Sequence, residues 1–240
     1  MGRASFENYG LMANQNLSFT EQSGRYPSHA RDDRRILADV MEKLQIVPED
    51  SLIDIGCGLG LLLLPLSFVV ERALGIDHPE VIAALRKRIG GNQVSVLAQD
   101  FLDADTSELS ATKILCYSVV QNLATEADLF RFVDKALAML KPGGKMLIGD
   151  ISNVDRKVRF QASEYGREFE KNWAAANQSE SNVDRGKLLP EDDRVEFSDE
   201  LVCSLLLHVR RKGYDSFVLG QRPDLPWGHT REDIVIEARY

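Results

Sequence analysis

The chain has 240 residues, 44% hydrophobic and 28% charged, a composition that excludes a disordered polymer and supplies enough apolar material for one domain with a proper core. Its formal net charge of −8 and pI of about 5.1 give a field that repels phosphate backbones and anionic bilayers, which argues against a duplex nucleic-acid or membrane partner. Cys57, Cys116 and Cys203 are widely spaced, without a CxxC pair or a companion histidine cluster, so neither a disulfide framework nor a metal site is expected.

The opening stretch MGRASFENYG lacks the apolar run of a signal peptide, and the longest apolar run, Leu59 to Val70, is interrupted by Gly60, Pro65 and Ser67 and is too short for a membrane span. A cytoplasmic protein is expected. Residues 14–29 are polar and turn-rich. A helix is expected over 32–44, where Ile36, Leu37, Val40, Met41 and Leu44 keep helical spacing. From Ser51 onward, apolar strands at 51–55, 72–76, 93–98, 112–117, 145–149, 216–220 and 233–238 alternate with amphipathic helices. That alternation predicts an α/β fold: a Rossmann-like, mainly parallel seven-stranded sheet with helices on both faces.

Helix punctuation agrees with this order. Pro79 occupies a first helical position with Glu80 beside it, and Gly90-Gly91 come after Lys87-Arg88 at the far end. Thr125 caps a helix carrying Leu129, Phe130, Val133, Ala136 and Leu140, which Pro142-Gly143-Gly144 should end. Ser198-Asp199-Glu200 opens another with Leu201, Leu205 and Leu206 inward, ended by Gly213. A single domain over 1–240 is expected, with 1–50 as an N-terminal helical cap and 152–197 as an insertion covering the substrate. That insertion spaces Tyr165, Phe169 and Trp173 four apart, the interval of one helix face, where packing is the commoner reason for such a series.

The segment Leu52-Ile53-Asp54-Ile55-Gly56-Cys57-Gly58-Leu59-Gly60 carries the most chemistry. A strand ends in a carboxylate and runs into three alternate glycines, where missing side chains let backbone amides and a helix start approach a ligand. Dinucleotide sites use GxGxxG; here Leu61 stands where the third glycine would be. Such a turn alone also suits a purely structural role. The ends of the later strands add weight. Gly75-Ile76-Asp77 closes the second strand, where a carboxylate can accept both hydroxyls of a ribose. The third strand ends at Gln99-Asp100-Phe101 and the fourth at Tyr117-Ser118.

In LIDIGCGLG, ALGID, LAQDF, YSVVQNL and MLKPGGKMLIGD the sequence resembles the class I S-adenosylmethionine-dependent methyltransferases, over about residues 50–150 by motif and beyond by strand order. The resemblance implies S-adenosyl-L-methionine as cofactor. It implies that Asp54 and the backbone of Gly56, Cys57 and Gly58 flank the methionine moiety and that Asp77 holds the ribose. Asp100 would face the adenine amino group with Phe101 beside the ring, and the Ser118 carbonyl would lie near the methionine amine. Gln121-Asn122 stand where many relatives have a His-His pair. His78 sits directly after the ribose carboxylate, where it is read either as a contact to the adenine edge or as a surface histidine.

Transfer from a sulfonium is an in-line displacement with a good leaving group, so orientation and exclusion of water carry much of the catalysis. A hydroxyl acceptor also needs a base. Asp150 at the end of the fifth strand and His208 on the Ser198 helix are the candidates, with a loop cap and a helix-surface residue as their plainer readings. Tyr9, Tyr165 and Trp173 are the candidate acceptor contacts, and Arg25 is placed to pair with the cofactor carboxylate. The expected activity is methyl transfer to a small polar soluble molecule, a sugar or another metabolite. The alternatives are a protein or tRNA methyltransferase and a non-catalytic S-adenosylmethionine-binding scaffold.

Overall fold

The computed structural model describes residues 3–13, 19–22, 25–89, 94–176 and 194–240. Helices α1 (Arg3–Ala13) and α2 (Phe19–Gln22), a 3-10 turn (Pro27–Arg31) and α3 (Asp33–Leu44) precede β1 (Ser51–Ile55). Next come α4 (Leu63–Ser67), β2 (Arg72–Asp77), α5 (Pro79–Arg86), β3 (Val94–Ala98), β4 (Ala111–Tyr117), α6 (Glu126–Ala138) and β5 (Leu140–Ser152). The series continues with α7 (Val154–Ala162), α8 (Glu164–Ala176), α9 (Asp199–Arg211), β6 (Asp215–Gly220) and β7 (Arg231–Glu237). The expected Gly90-Gly91 helix end, Gln93, and the part of the insertion from 177 to 193 lie outside the described residues, as do 14–18 and 23–24 of the turn-rich segment.

The strands form one seven-stranded sheet in the order β3-β2-β1-β4-β5-β7-β6. β1 pairs in parallel with β2 and β4, and β2 with β3 and β4 with β5 likewise, whereas β7 runs antiparallel to both β5 and β6. All five residues of β1 are buried, as expected of a central parallel strand covered on both faces. Alternation along the strands feeds two cores. Ile53, Ile55, Ile114, Ile148 and Ile234 pack against Leu129, Phe132 and Val133 of α6 and Leu201, Leu205 and Val209 of α9. Leu52, Leu115, Leu147 and Val235 face Ile36, Val40 and Leu44 of α3, Leu63 and Leu66 of α4, and Ile82 and Leu85 of α5.

The helix starts are set by the residues that cap them. Thr125 Oγ1 accepts from the Asp128 amide at 3.1 Å and Ser198 Oγ from the Leu201 amide at 3.2 Å, each satisfying a donor the helix cannot. One boundary differs from expectation. α6 stops at Ala138, and Pro142-Gly143-Gly144 lie inside β5, which opens at Leu140. The pairing of β4 with β5 shifts register between Ala111 and Lys113, and Gly143 takes φ 72° there, so the Pro-Gly-Gly run bends a strand instead of ending a helix. Among the described residues, no helix is long and apolar enough to cross a membrane.

The strand order reverses between β1 and β4: from β1 the chain proceeds outward to β2 and β3, then returns to the other side. Adjacent loops therefore leave in opposite directions, and a crevice opens beyond the carboxyl ends of β1 and β4.

Candidate functional site

A cleft with about 880 Å³ of empty space, the open solvent at its mouth included, occupies that crevice, with Asp54, Gly56, Cys57, Gly58, Asp77, Tyr117, Ser118 and Asn122 in its wall and Tyr9 and Arg25 from the N-terminal segment closing over it. The loop after β1 is anchored by the Gly56 amide donating to the Ile76 carbonyl at 2.8 Å. Gly56 takes φ 77°, and an added Cβ would fall 2.3 Å from Val119 Cγ2. Gly58, at φ 54°, has nothing within 4 Å of that position, so its missing side chain leaves open space over the cleft.

Two carboxylates face this loop. Asp77 Oδ2 accepts from the Gly58 amide at 2.7 Å and Oδ1 from the His78 amide at 2.6 Å, leaving one lone-pair direction on each oxygen for further donors. Asp54 is 3% exposed, and no hydrogen bond or cation offsets its burial. Burial, with the Asp77 charge added, pushes Asp54 up to about 8. Burial also raises Asp77 to about 6, although the Gly58 and His78 amides pull it down. Two buried acceptors short of donors and of positive charge fit a ligand that brings an ammonium, a sulfonium and vicinal hydroxyls. S-adenosylmethionine has all three.

The far end of the cleft is built where β4 and β5 stop. Ser118 and Asp150 both adopt left-handed backbone, φ 62° and 63°, which aims their side chains at each other. Ser118 Oγ donates to Asp150 Oδ2 at 2.5 Å and accepts from Arg25 Nη2 at 3.0 Å. The strain of two non-glycine residues in this region, of order 1–3 kcal/mol each, persists only where surrounding structure over-determines it. Here the Asp150 amide is held by Asp233 Oδ1 at 2.8 Å, and Asp233 is held by Lys43 at 2.5 Å. Gln221 Nε2 completes the set, donating to the Tyr117 hydroxyl at 3.0 Å and to Asp233 at 2.9 Å.

The sequence-derived candidates divide accordingly. Asp54, Gly56, Cys57, Gly58, Asp77, Ser118 and Tyr9 meet in the cleft wall. The Tyr9 hydroxyl bonds the Asn122 side chain, and burial raises it above the usual tyrosine range against the pull of Arg194 and Arg25. Asp150, 3% exposed, stands behind Ser118. The Ser118 carbonyl already accepts from Asn122 Nδ2 at 3.2 Å.

His78 is buried rather than on the surface: its Nδ1 accepts from the Glu80 amide at 3.1 Å, capping α5, and its ring lies 4.5 Å from Phe6. Asp100 accepts from the Leu102 amide at 2.9 Å in a turn that swings Phe101 into the core, 4.8 Å from Phe132, so Phe101 does not line the cleft. His208 is not among the residues of the cleft wall. It bonds Asp134 at 2.7 Å and packs 4.9 Å from Phe130, because α9 turns that face toward α6. Tyr165 is 59% exposed against Phe160 and His229, while Trp173 reaches Tyr26 at 5.2 Å. The residues that sequence reasoning passes over are Arg231, Gln221, Asp233 and Lys43. No motif surrounds them. Among the described residues, no cluster of histidine, cysteine and carboxylate side chains could hold a metal ion.

A methyltransferase-domain family profile matches residues 53–148, the stretch that holds the loop, both carboxylates and Ser118. Two curated relatives are ubiquinone biosynthesis O-methyltransferases. The one from Bradyrhizobium diazoefficiens is 30% identical over 135 residues, 54% of this chain and 50% of the relative. The one from Nitrobacter winogradskyi is 33% identical over 100 residues, 40% of this chain and 36% of the relative. The chain therefore spans half the length, or less, of the curated relatives it matches. Among solved structures, an N-methyltransferase of Bradyrhizobium japonicum in complex with S-adenosyl-L-homocysteine superposes with a TM-score of 0.64 at 13% identity, covering 99% of this chain and 100% of that one. A Haemonchus contortus phosphoethanolamine N-methyltransferase gives 0.70 at 14% identity over 99% of this chain and 49% of that one. At such identities the likeness is one of fold.

Proposed function

We propose that this chain is a class I S-adenosylmethionine-dependent methyltransferase, a reading supported by the family match and the fold, and that it transfers a methyl group from S-adenosylmethionine to a small polar molecule, a sugar or another metabolite. The observation that carries the reading is the pairing of Asp54 and Asp77 with the open Gly58 turn at the switch point of the sheet. The O-methyltransferase names of the curated relatives support oxygen as the receiving atom.

When bound, the cofactor supplies an electrophilic methyl group on a sulfonium; the chain holds and orients. Asp54 meets the cationic part of the ligand in a site of low dielectric, where an opposite charge counts for most. Asp77 accepts from the ribose hydroxyls through the lone pairs that the Gly58 and His78 amides leave open. Arg25, on the cleft wall, is positioned for the amino-acid carboxylate. Tyr9, Ser118 and Asn122 present polar atoms to the acceptor. Ser118 Oγ accepts the acceptor's hydroxyl proton as its own passes to Asp150 Oδ2, along the bond already made. Asp150 thus acts through Ser118.

A screen of pooled small metabolites, read by formation of S-adenosylhomocysteine, tests the reading and identifies the acceptor. Asp150→Asn should then lower turnover by about a hundredfold or more, the usual scale of general-base loss, with S-adenosylhomocysteine affinity unchanged. Unaltered turnover would remove Asp150 from the proton path.

A further inference from the structure

The only two tryptophans of the chain, Trp173 and Trp227, belong to one cluster. Trp227, in the loop between β6 and β7, lies 6.2 Å from the Tyr26 ring and 4.8 Å from His29. Trp173 approaches Tyr26 from α8 at 5.2 Å. Arg231 at the start of β7 lays its guanidinium 5.2 Å over the Trp227 ring, and its Nε is 3.7 Å from Asp150 Oδ1. The other oxygen of Asp150 is 3.7 Å from Arg25 Nη2. One carboxylate therefore faces two guanidiniums.

Asp233, two residues along the same face of β7, does not offset them, because Lys43 holds it and its other oxygen accepts from the Asp150 amide and Gln221. Arg231 Nη1 is buried and has no hydrogen-bond partner among the described residues. A buried cationic donor left unpaired costs more than a neutral one, and an anionic oxygen satisfies it best. Tyr26, Trp173 and Trp227 are each only partly buried, and the three rings form one aromatic cluster beside that donor. A cation is disfavoured here. The Trp227 face is taken by Arg231, and the local charge is already positive.

We propose that this corner is the acceptor subsite and that it takes an organic anion with a flat ring, the ring against Tyr26 and Trp173, beside the Arg231-covered Trp227, and the anionic oxygens on Arg231. It adjoins the cleft through Arg25, next to Tyr26, and through Ser118, which bonds Asp150. The inference rests on the methyl-transfer reading of the cleft and adds the chemical class of the acceptor.

Because both tryptophans report from this corner alone, their emission tests it. Benzoate and its neutral analogue benzyl alcohol are titrated into protein saturated with S-adenosylhomocysteine. Benzoate should change the emission saturably and bind about tenfold or more tighter than benzyl alcohol, the scale of one charge-assisted hydrogen bond. Arg231→Gln should abolish that preference, and Arg231→Lys should keep part of it. Equal affinity for the two probes in the wild-type protein, or no saturable response to benzoate, overturns the proposal whether or not the variants fold. Calorimetry with S-adenosylhomocysteine reads the cofactor site separately. Its failure would refute the methyl-transfer reading, whereas cofactor binding without probe discrimination refutes the subsite alone.

Discussion

Asp54 joins ligand binding to the pH dependence of the fold. Its carboxyl, raised to about 8 by burial and the Asp77 charge, ionises near the ordinary aspartate value once the chain unfolds. Between those values the unfolded state binds fewer protons than the native one, so stability of the ligand-free protein falls as pH rises from 3.8 through about 8 and levels beyond it. Asp54→Asn should flatten that part of the melting-temperature profile and raise the melting temperature at pH 8. A profile unchanged by the substitution contradicts the assignment. A cationic ligand favours the ionised form, so binding near pH 7 should release protons, seen as a buffer-dependent binding enthalpy. The two glycines of the same turn should part company. Gly56→Ala drives a Cβ into Val119 and should cost about 1–3 kcal/mol of stability. Gly58→Ala meets only open space; beyond about 1 kcal/mol of left-handed strain, its effect should be a loss of about tenfold in S-adenosylhomocysteine affinity, or about 1.4 kcal/mol. Equal losses of affinity in the two variants would deny Gly58 a place against the ligand. These residues are legible in the sequence because a strand end and a glycine spacing are local patterns. Phe101 is not, since adjacency to Asp100 says nothing of direction when a turn intervenes, and Arg231 is invisible because only the β5–β7 pairing carries it to Asp150.

At the scale of elements, caps and apolar periodicity locate α3, α5, α6 and α9, whereas α1, α2, α4 and α7 are not among the helices so located, and most strand ends fall within a few residues of where alternation puts them. β5 is longer than its apolar run suggests: its last residues pair with the antiparallel β7 at Ile151 and Ser152, a non-local partner that no local window reveals. Thr125→Ala should cost about 1 kcal/mol, or about 2–4 °C in melting temperature for a chain of this size, with ligand affinity unchanged. Affinity that fell with it would mean that α6 shapes the cleft directly. For the insertion, we propose that α7 and α8 form part of a cover over the acceptor. α7 is fixed at its start by Asn153, which caps Asp155 and Arg156 and bonds Glu232 and Asp199, and Trp173 bridges α8 to Tyr26. Trp173→Ala should therefore impair turnover more than cofactor binding, while Tyr165→Ala, at an exposed ring that packs on Phe160 and His229, should do little to either. Amide exchange in α8 should slow when cofactor and acceptor are both present. If exchange there is already as slow as in the central strands, α8 is packing.

For the whole molecule, the sheet order decides where chemistry can occur, and the N-terminal segment decides what closes over it. The acidic net charge argues against a nucleic-acid partner, yet the far end of the cleft gathers Arg25 and Arg231 around one carboxylate. A composition averages over such a corner. The reversal of strand order between β1 and β4 puts Asp54, Asp77 and Ser118 at a single crevice, and the GxGxG turn there leaves Leu61 where a pyrophosphate-binding glycine would stand. Calorimetry of the purified protein with S-adenosylhomocysteine and with NAD tests this assignment most directly. Saturable binding of S-adenosylhomocysteine with proton release at neutral pH is expected, and none of NAD at comparable concentration; tight NAD binding with no response to S-adenosylhomocysteine would contradict it.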